Sequence, residues 1–395
     1  MTSKRDAVIV SAARTPIGSF NGILSQTSAT TLGSAAIAEA LRRIDLPGNR
    51  VDDVYMGCVL TAGLGQAPAR QAAIGAQIPH SVGATTVNKV CGSSLMTVIM
   101  AVQAIAIGHA NIVVAGGMES MTRAPYLLER ARQGYRLGHA ELIDSLVRDG
   151  LWDVYNDFHM GSAGELCVTK YGLTRTELDN FAIESYRRAN TAISSGEFKN
   201  EVVAVEVSQR KGGPLMVRED EEPTRVDPVK LRALPPIFKE DGLLTVGNSP
   251  SCNDGAAALV IMASDQAELL GLVPMARVVG YAGAALAPEW FTIAPVEAIQ
   301  RVLKKTGLSV PDIDLFEINE AFAAVPLAVN RELGLDHAKV NVNGGAVALG
   351  HPIGATGARI LTTLLHAMES RGDRRGIASL CIGGGEALAV VVERV

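Results

Sequence analysis

The stretch VEAIQRVLKKTGLSVPDIDLFEINEAF, Val296 to Phe322, repeats a pattern already met near the start of the chain. Its Ile299, Leu303 and Lys304-Lys305 stand where residues 34–43 have Ile37, Leu41 and Arg42-Arg43, and Asp314 falls where Asp53 was. In the first copy, apolar residues at helical spacing predict a helix over 31–43, and VDDVYMGCVL (51–60) then reads as a strand. Each copy continues with a Val-Asn step (Val87-Asn88, Val342-Asn343), a loop of small residues, an apolar-periodic helix and a strand ending in Gly-Gly. Those last strands are NIVVAGG (111–117) and ASLCIGG (378–384).

Alternating helices and apolar strands predict a largely parallel sheet in each half. The chain therefore reads as duplicated α/β domains, the first over 1–120 and the second over 250–395. Residues 121–249 have no counterpart in the repeat; they are charge-rich and broken by Pro223, Pro228, Pro235 and Pro236, the marks of an inserted loop domain. Two copies of one domain meet about a pseudo-twofold axis. Loops after equivalent strands then face each other across a cleft, where the chemistry is expected.

With 48% hydrophobic and 19% charged residues over 395 positions, the chain has ample core for two packed domains. A net charge of −5 without any run of five basic residues argues against nucleic acid as a partner. MTSKRDAVIVSAARTP passes from a charged start straight into a strand-like run, and no stretch nears the roughly 20 apolar residues of a membrane span. The final ERV is no peroxisomal address, and the expectation is a cytoplasmic protein. Cys58, Cys91, Cys167, Cys252 and Cys381 are odd in number and form no C-x-x-C pair, which disfavours a disulfide framework or structural zinc.

Cys91 opens a helix whose Leu95, Val98, Ile99, Val102 and Ile105 follow helical spacing. A thiol at a helix N-terminus is expected to have its pKa lowered, which suits a nucleophile; position alone fits a small buried cysteine equally well. His351 lies among Gly344, Gly345, Gly350, Gly354 and Gly357, just before a helix. Such a histidine suits general base work near neutrality, or is a satisfied structural residue. Cys381 closes ASLCIGG ahead of Gly383, Gly384 and Gly385, whose N–H groups suit an oxyanion hole. A second thiol fits carbon–carbon bond chemistry, which needs a proton removed beside a thioester. Asn319 ends a strand-like segment in FEINEAF, where its amide could hold a water or a carbonyl oxygen, or simply start a helix. Metal binding by Cys91, His351 and Cys381 is the competing constellation, weakened by the lack of any close-spaced ligand pair.

Together NKVCGSS, HMGSAGE, NDGAAALV, EINEAFA, GGAVALGHPIGATGAR and CIGGGEA resemble the thiolase family in order and spacing over nearly the whole chain. The resemblance implies a five-layer αβαβα arrangement. It implies that Cys91 is acylated, that His351 activates it, and that Cys381 exchanges the substrate proton. Asn319 would hold a water that, with His351, stabilises one oxyanion, and the N–H groups of Cys91 and Gly383 would form the other oxyanion hole. His159, Met160, Phe238, Ala321 and Phe322 match positions that border the thioester and pantetheine. Pro250 stands near the CoA, where many members carry serine, and Arg225 is a candidate phosphate partner. Ala163-Gly164 replaces a common Thr-Ala pair.

RQGYRLGHAELIDSLVRDGLWD (132–153) resembles the segment of tetrameric biosynthetic members and implies a homotetramer built from dimers. The implied reaction condenses two acetyl-CoA into acetoacetyl-CoA plus CoA. CoA and acyl-CoA are then substrates, with no cofactor and no metal. The rivals are a degradative 3-oxoacyl-CoA thiolase, with a roomier pocket permitted by the small Ala163-Gly164 pair, and a non-catalytic CoA- or lipid-binding protein on the same fold.

Overall fold

The structure is a computed structural model describing residues 5–209 and 212–395; residues 1–4 of the charged start and 210–211 of the insert lie outside the described residues. The repeat builds two matching sets of strands. In the first half, β1 (Ala7–Arg14), β2 (Asp53–Gly57), β3 (Gly83–Val87), β4 (Ile112–Ser120) and β5 (Asn253–Ala263) lie in the order β3-β2-β4-β5-β1. In the second, β6 (Ala276–Ala285), β7 (Leu315–Ile318), β8 (Arg375–Ile382) and β9 (Glu386–Glu393) lie in the order β7-β8-β9-β6. A single bridge from Phe316 to Val340 stands where the first half has β3. The halves join edge to edge through two pairs, Val8 with Arg277 and Ile9 with Ala276.

The expectation of largely parallel sheets is corrected. β2 runs parallel to β3 and β4, and β7 to β8, but β5 is antiparallel to β4 and β1, and β9 to β8 and β6. Only Gly383, Gly384 and Gly385 connect β8 to β9, which is far too short for a parallel crossover. The boundary at 250 moves as well. The sequence pattern puts β5 in the second half, yet its hydrogen bonds tie it to β4 and β1 of the first.

Helices complete five layers. α1 (Ala29–Arg42) and α2 (Pro68–Gly75) cover the outer face of the first sheet. α3 (Ser93–Ala106) and the long α8 (Thr356–Arg371) fill the space between the sheets. α6 (Ala294–Thr306) and α7 (Ala324–Leu333) cover the second sheet from outside. The sequence sorts these layers. α3 and α8 bury residues all round, whereas α6 buries one stripe, Ala298, Ile299, Val302 and Leu303, and leaves Lys304 exposed. Each buried Leu or Ile contributes about 1.5–3 kcal/mol, more than the ~0–1 kcal/mol of a surface ion pair, so the central helices dominate the cohesion of the two halves. The insert is more helical than a loop domain. It carries α4 (Met160–Tyr171) and the 21-residue α5 (Arg175–Ser195), which starts in a capping box of Thr174 and Glu177. Among the described residues no helix is long and apolar enough to cross a membrane.

Two glycines set the spacing of the central layer. A Cβ on Gly357 of α8 would stand 2.4 Å from the Leu95 nitrogen, and one on Gly117 of β4 would stand 2.2 Å from the Gly354 carbonyl oxygen. Their absence lets the N-terminal ends of α3 and α8 lie side by side, pinned by the Ala358 N–H donating to Ser94 Oγ at 2.9 Å. Cys91 precedes one of these helices and His351 the other.

Candidate active site

Cys91 sits on a tight turn. Val90 holds φ +46°, a left-handed conformation that a β-branched residue adopts only under strain. Ser93 Oγ fixes the turn by accepting from Lys89 N–H at 2.9 Å and donating to the Val90 carbonyl at 2.6 Å. Lys89 also pairs with Glu386 at the start of β9, so the turn is tied to the other half. α3 begins at Ser93 with Gly92 as its cap, which leaves Cys91 just outside the helix rather than in its first turn. The expected acidification of the thiol is overturned: burial pushes Cys91 up to about 11. The backbone N–H groups of Gly383 and of Cys91 itself point at the sulfur and pull the other way, and the nearby Glu119 adds a small upward push.

His351 is buried, and burial, then the charge of Arg359, pushes it down to about 3. At neutral pH the pair is therefore an uncharged thiol and an uncharged imidazole. The ring is held on both sides. Nδ1 lies 2.7 Å from Thr356 Oγ1, Nε2 lies 3.4 Å from Asn319 Nδ2, and the His351 N–H donates to Asn253 Oδ1 at 2.8 Å. Asn319 is buried and its Oδ1 has no protein partner. Cys381 is fully buried at the end of β8; burial first, then the proximity of Cys91, raises its thiol well above the usual range.

These groups meet at an apolar cavity of about 360 Å³, within the size range of small-molecule sites. Cys91, His351 and Gly383 line it, as do His159, Met160, Phe238, Pro250, Ala321 and Phe322. Asn319, which contacts His351, and Cys381, which lies near Cys91, are not part of that lining. His159 stacks on Phe238 at 5.1 Å, and Phe238 meets Phe322 edge-on at 5.7 Å. The Gly161 N–H donates to His159 Nδ1 at 3.0 Å, and burial lowers the ring's pKa, which keeps His159 neutral. Arg225 is not brought to the cavity: its guanidinium donates to Glu221 of the insert and to Ser19 Oγ of the first half. Nor do Ala163 and Gly164 enlarge the pocket. Neither lines it, and Leu244 and Phe322 fill the space beside Gly164, so a Cβ there would meet Leu244 Cδ1 at 2.6 Å.

Sequence reasoning misses several lining residues, among them Ile237, Val246, Ser249 and Cys252. The position of Cys252 directly before NDGAAALV is the one signal that points to them. It also misses Glu119, which is fully buried and pushed up to about 7. This carboxylate accepts the N–H groups of Val59 at 3.0 Å and Leu60 at 3.1 Å from the first half, and of Gly354 at 2.9 Å from the loop carrying His351. Among the described residues no three His, Cys, Asp or Glu side chains are grouped to hold a metal.

Thiol chemistry on a doubled α/β scaffold places the chain among cysteine-dependent acyltransferases. Comparison with known proteins gives the family: residues 7–265 match the thiolase N-terminal domain and residues 272–394 the thiolase C-terminal domain, and the chain belongs to the thiolase family. It is 51% identical over 391 residues to an acetyl-CoA acetyltransferase of Pseudomonas aeruginosa, covering 99% of this chain and 100% of that one. It is 51% identical over 392 residues to the Escherichia coli K12 acetyl-CoA acetyltransferase, with 99% of each covered. The crystal structure of the Bacillus anthracis acetyl-CoA acetyltransferase superposes with a TM-score of 0.98 at 40% identity over 100% of both chains. That of an Ascaris suum thiolase in complex with coenzyme A gives 0.94 at 45%, over 99% of this chain and 100% of that one.

Proposed function

We propose that the protein is an acetyl-CoA acetyltransferase, condensing two acetyl-CoA into acetoacetyl-CoA and CoA and running the reverse thiolysis. The observation that carries this reading is the convergence of Cys91, His351 and Gly383 on one apolar cavity, with Cys381 buried close behind. Cys91 Sγ attacks the thioester carbonyl as its proton passes to His351 Nε2. The N–H groups of Cys91 and Gly383 hold the oxygen while it is charged. The CoA sulfur leaves with the proton of Cys381, so an acetyl-enzyme, an imidazolium and a Cys381 thiolate remain. A second acetyl-CoA then gives its α-proton to Cys381. Its enolate oxygen is held by His351 and by a water on Asn319, whose free Oδ1 supports that role. The enolate carbon attacks the acetyl group, and the released Cys91 sulfur recovers its proton from His351.

No metal or redox cofactor enters these steps, because the thioester itself acidifies the α-carbon; CoA is substrate and product. The Ala163-Gly164 pair opens no extra room at the cavity, which removes the feature that favoured the long chains of a degradative 3-oxoacyl-CoA thiolase and supports the short-acyl reading. The outermost strand β3 is half-exposed, and Tyr126, Leu137 and Leu142 of the insert stand in the open. Both features support assembly into a homotetramer from dimers. All five cysteines are unpaired, which fits a reducing compartment such as the cytoplasm. The test mixes protein and CoA with acetoacetyl-CoA or a long-chain 3-oxoacyl-CoA and measures acetyl-CoA release, with Cys91→Ala as control. Preference for acetoacetyl-CoA is expected. Preference for long chains would favour the degradative reading, and no Cys91-dependent turnover would leave only a binding protein.

A further inference from the structure

We propose that Thr356 is a positioning residue that sets the tautomer of His351 and so keeps a lone pair on Nε2, the nitrogen assigned above to take the Cys91 proton. The inference rests on the reading of His351 as the base, and Thr356 itself does not line the cavity. The argument is a proton count. Thr356 Oγ1 lies 2.9 Å from the Pro352 carbonyl oxygen and 2.7 Å from His351 Nδ1. A carbonyl can only accept, so the single hydroxyl proton goes to Pro352. Oγ1 is then left with lone pairs toward His351, and the 2.7 Å contact requires Nδ1 to carry the hydrogen.

In a neutral imidazole the other nitrogen is then bare. Nε2 faces Asn319 Nδ2 at 3.4 Å, a donor, as an acceptor there requires. The opposite tautomer would set Nε2–H against that amide and two acceptors against each other at Thr356. Because burial pushes His351 down to about 3, the neutral ring is the form present before each turnover, so its tautomer decides whether the base is ready. Thr356 opens α8 and is fully buried, which leaves water little room to replace its hydroxyl.

Thr356→Val keeps the shape and removes the acceptor, while Thr356→Ser keeps the oxygen. Nitrogen NMR of histidine-labelled protein, with the His351→Gln variant assigning the signal among the seven histidines, reads the tautomer without reference to activity. The expected result is Nδ1–H in the wild type and in Thr356→Ser, and a mixture or Nε2–H in Thr356→Val. With that change kcat should fall on the order of 10- to 100-fold, the loss seen when a partner orienting a metal-bound histidine is removed, at little changed KM, and Thr356→Ser should retain most of the wild-type kcat. An Nε2–H signature in the wild type, with the Asn319 amide turned to receive it, would overturn the proposal. So would a Thr356→Val enzyme that loses turnover with its tautomer unchanged, or one that keeps full turnover. His351→Gln turning over like wild type would instead sink the reading of His351 as base and leave the tautomer result standing.

Discussion

The two halves end equivalent strands in different ways. β4 runs past its paired glycines to Ser120, and its Glu119 turns inward to accept three backbone N–H groups. β8 stops at Ile382, turns within three residues and leaves Cys381 and the Gly383 N–H beside Cys91. The loops ahead of the central helices diverge as well. In the first half a strained turn carries one thiol; in the second a longer loop, with a short helix at Ala346–Leu349, carries His351. Duplication brought matching loops together, and the chemistry came from letting the two copies differ. In the proposed mechanism the first half carries the acyl group and the second the groups that move protons, while Glu119 of the first half clamps Val59 and Leu60 to the loop of His351.

The hardest test of that division removes one thiol from each half. Cys91→Ala should show no acetyl adduct by mass spectrometry after exposure to acetyl-CoA, and no turnover. Cys381→Ala should still acquire the adduct, while condensation falls about 10²- to 10⁴-fold, the range of a lost acid–base group. An adduct persisting in Cys91→Ala would end the assignment of the nucleophile to the first half. The next largest effect is steric. Gly117→Ala would place a methyl 2.2 Å from the Gly354 oxygen and push the His351 loop away from the Cys91 turn. Overpacking of this kind costs about 1–3 kcal/mol, read by chemical denaturation, and turnover should fall with it. Gly213→Ala, which meets nothing within 4 Å, is the control and should stay within about 0.5 kcal/mol of wild type.

Much of this comparison is legible in the amino-acid sequence. Ile37 and Leu41 against Ile299 and Leu303 reveal the repeat because helical spacing is a local property, and the small-residue loops around Cys91, His351 and Cys381 mark where backbones approach. Strand direction stays hidden for β5 and β9, since it depends on which distant strand is met and how short the connection is. The raised Cys91 thiol is hidden because burial is created by the whole fold, whereas the opposing helix-end effect can be read from neighbours. Arg225 reads as a free cation only while Glu221 and Ser19 are not placed beside it. Glu119 reads like any acidic residue in GGMES, because nothing local says that three N–H groups from two halves converge on it.

Glu119 supplies a smaller, pH-dependent test of the clamp. Burial raises it to about 7, above the roughly 4.3 of a free glutamate. The folded state thus holds this proton more tightly than the unfolded chain does. Its stabilising contribution is complete below about pH 4.3 and is lost as pH rises through about 7. Unfolding free energies of wild type and Glu119→Gln, compared at about pH 5 and about pH 8, should show a decline in wild type that the variant lacks in part. Parallel profiles would mean that Glu119 does not titrate differently when folded.

The smallest effect expected is a missing inflection. A solvent-exposed histidine acting as base would be protonated as pH falls below about 6.5, and kcat/KM would then drop about tenfold per pH unit. His351 is buried between the halves and held beside Arg359, which together push it to about 3. A base that stays neutral through that range loses nothing, so kcat/KM should run level from about pH 8 to about pH 5. The same shift has a structural sign. Because the folded form disfavours the cation, His351 stabilises the fold above about pH 6.5, and that contribution is lost as pH falls toward 3. Circular dichroism at each pH separates this acid unfolding from a true kinetic pKa. An inflection near 6.5 in protein that remains folded would mean that water reaches His351, and that the packing of the two halves does not tune the base.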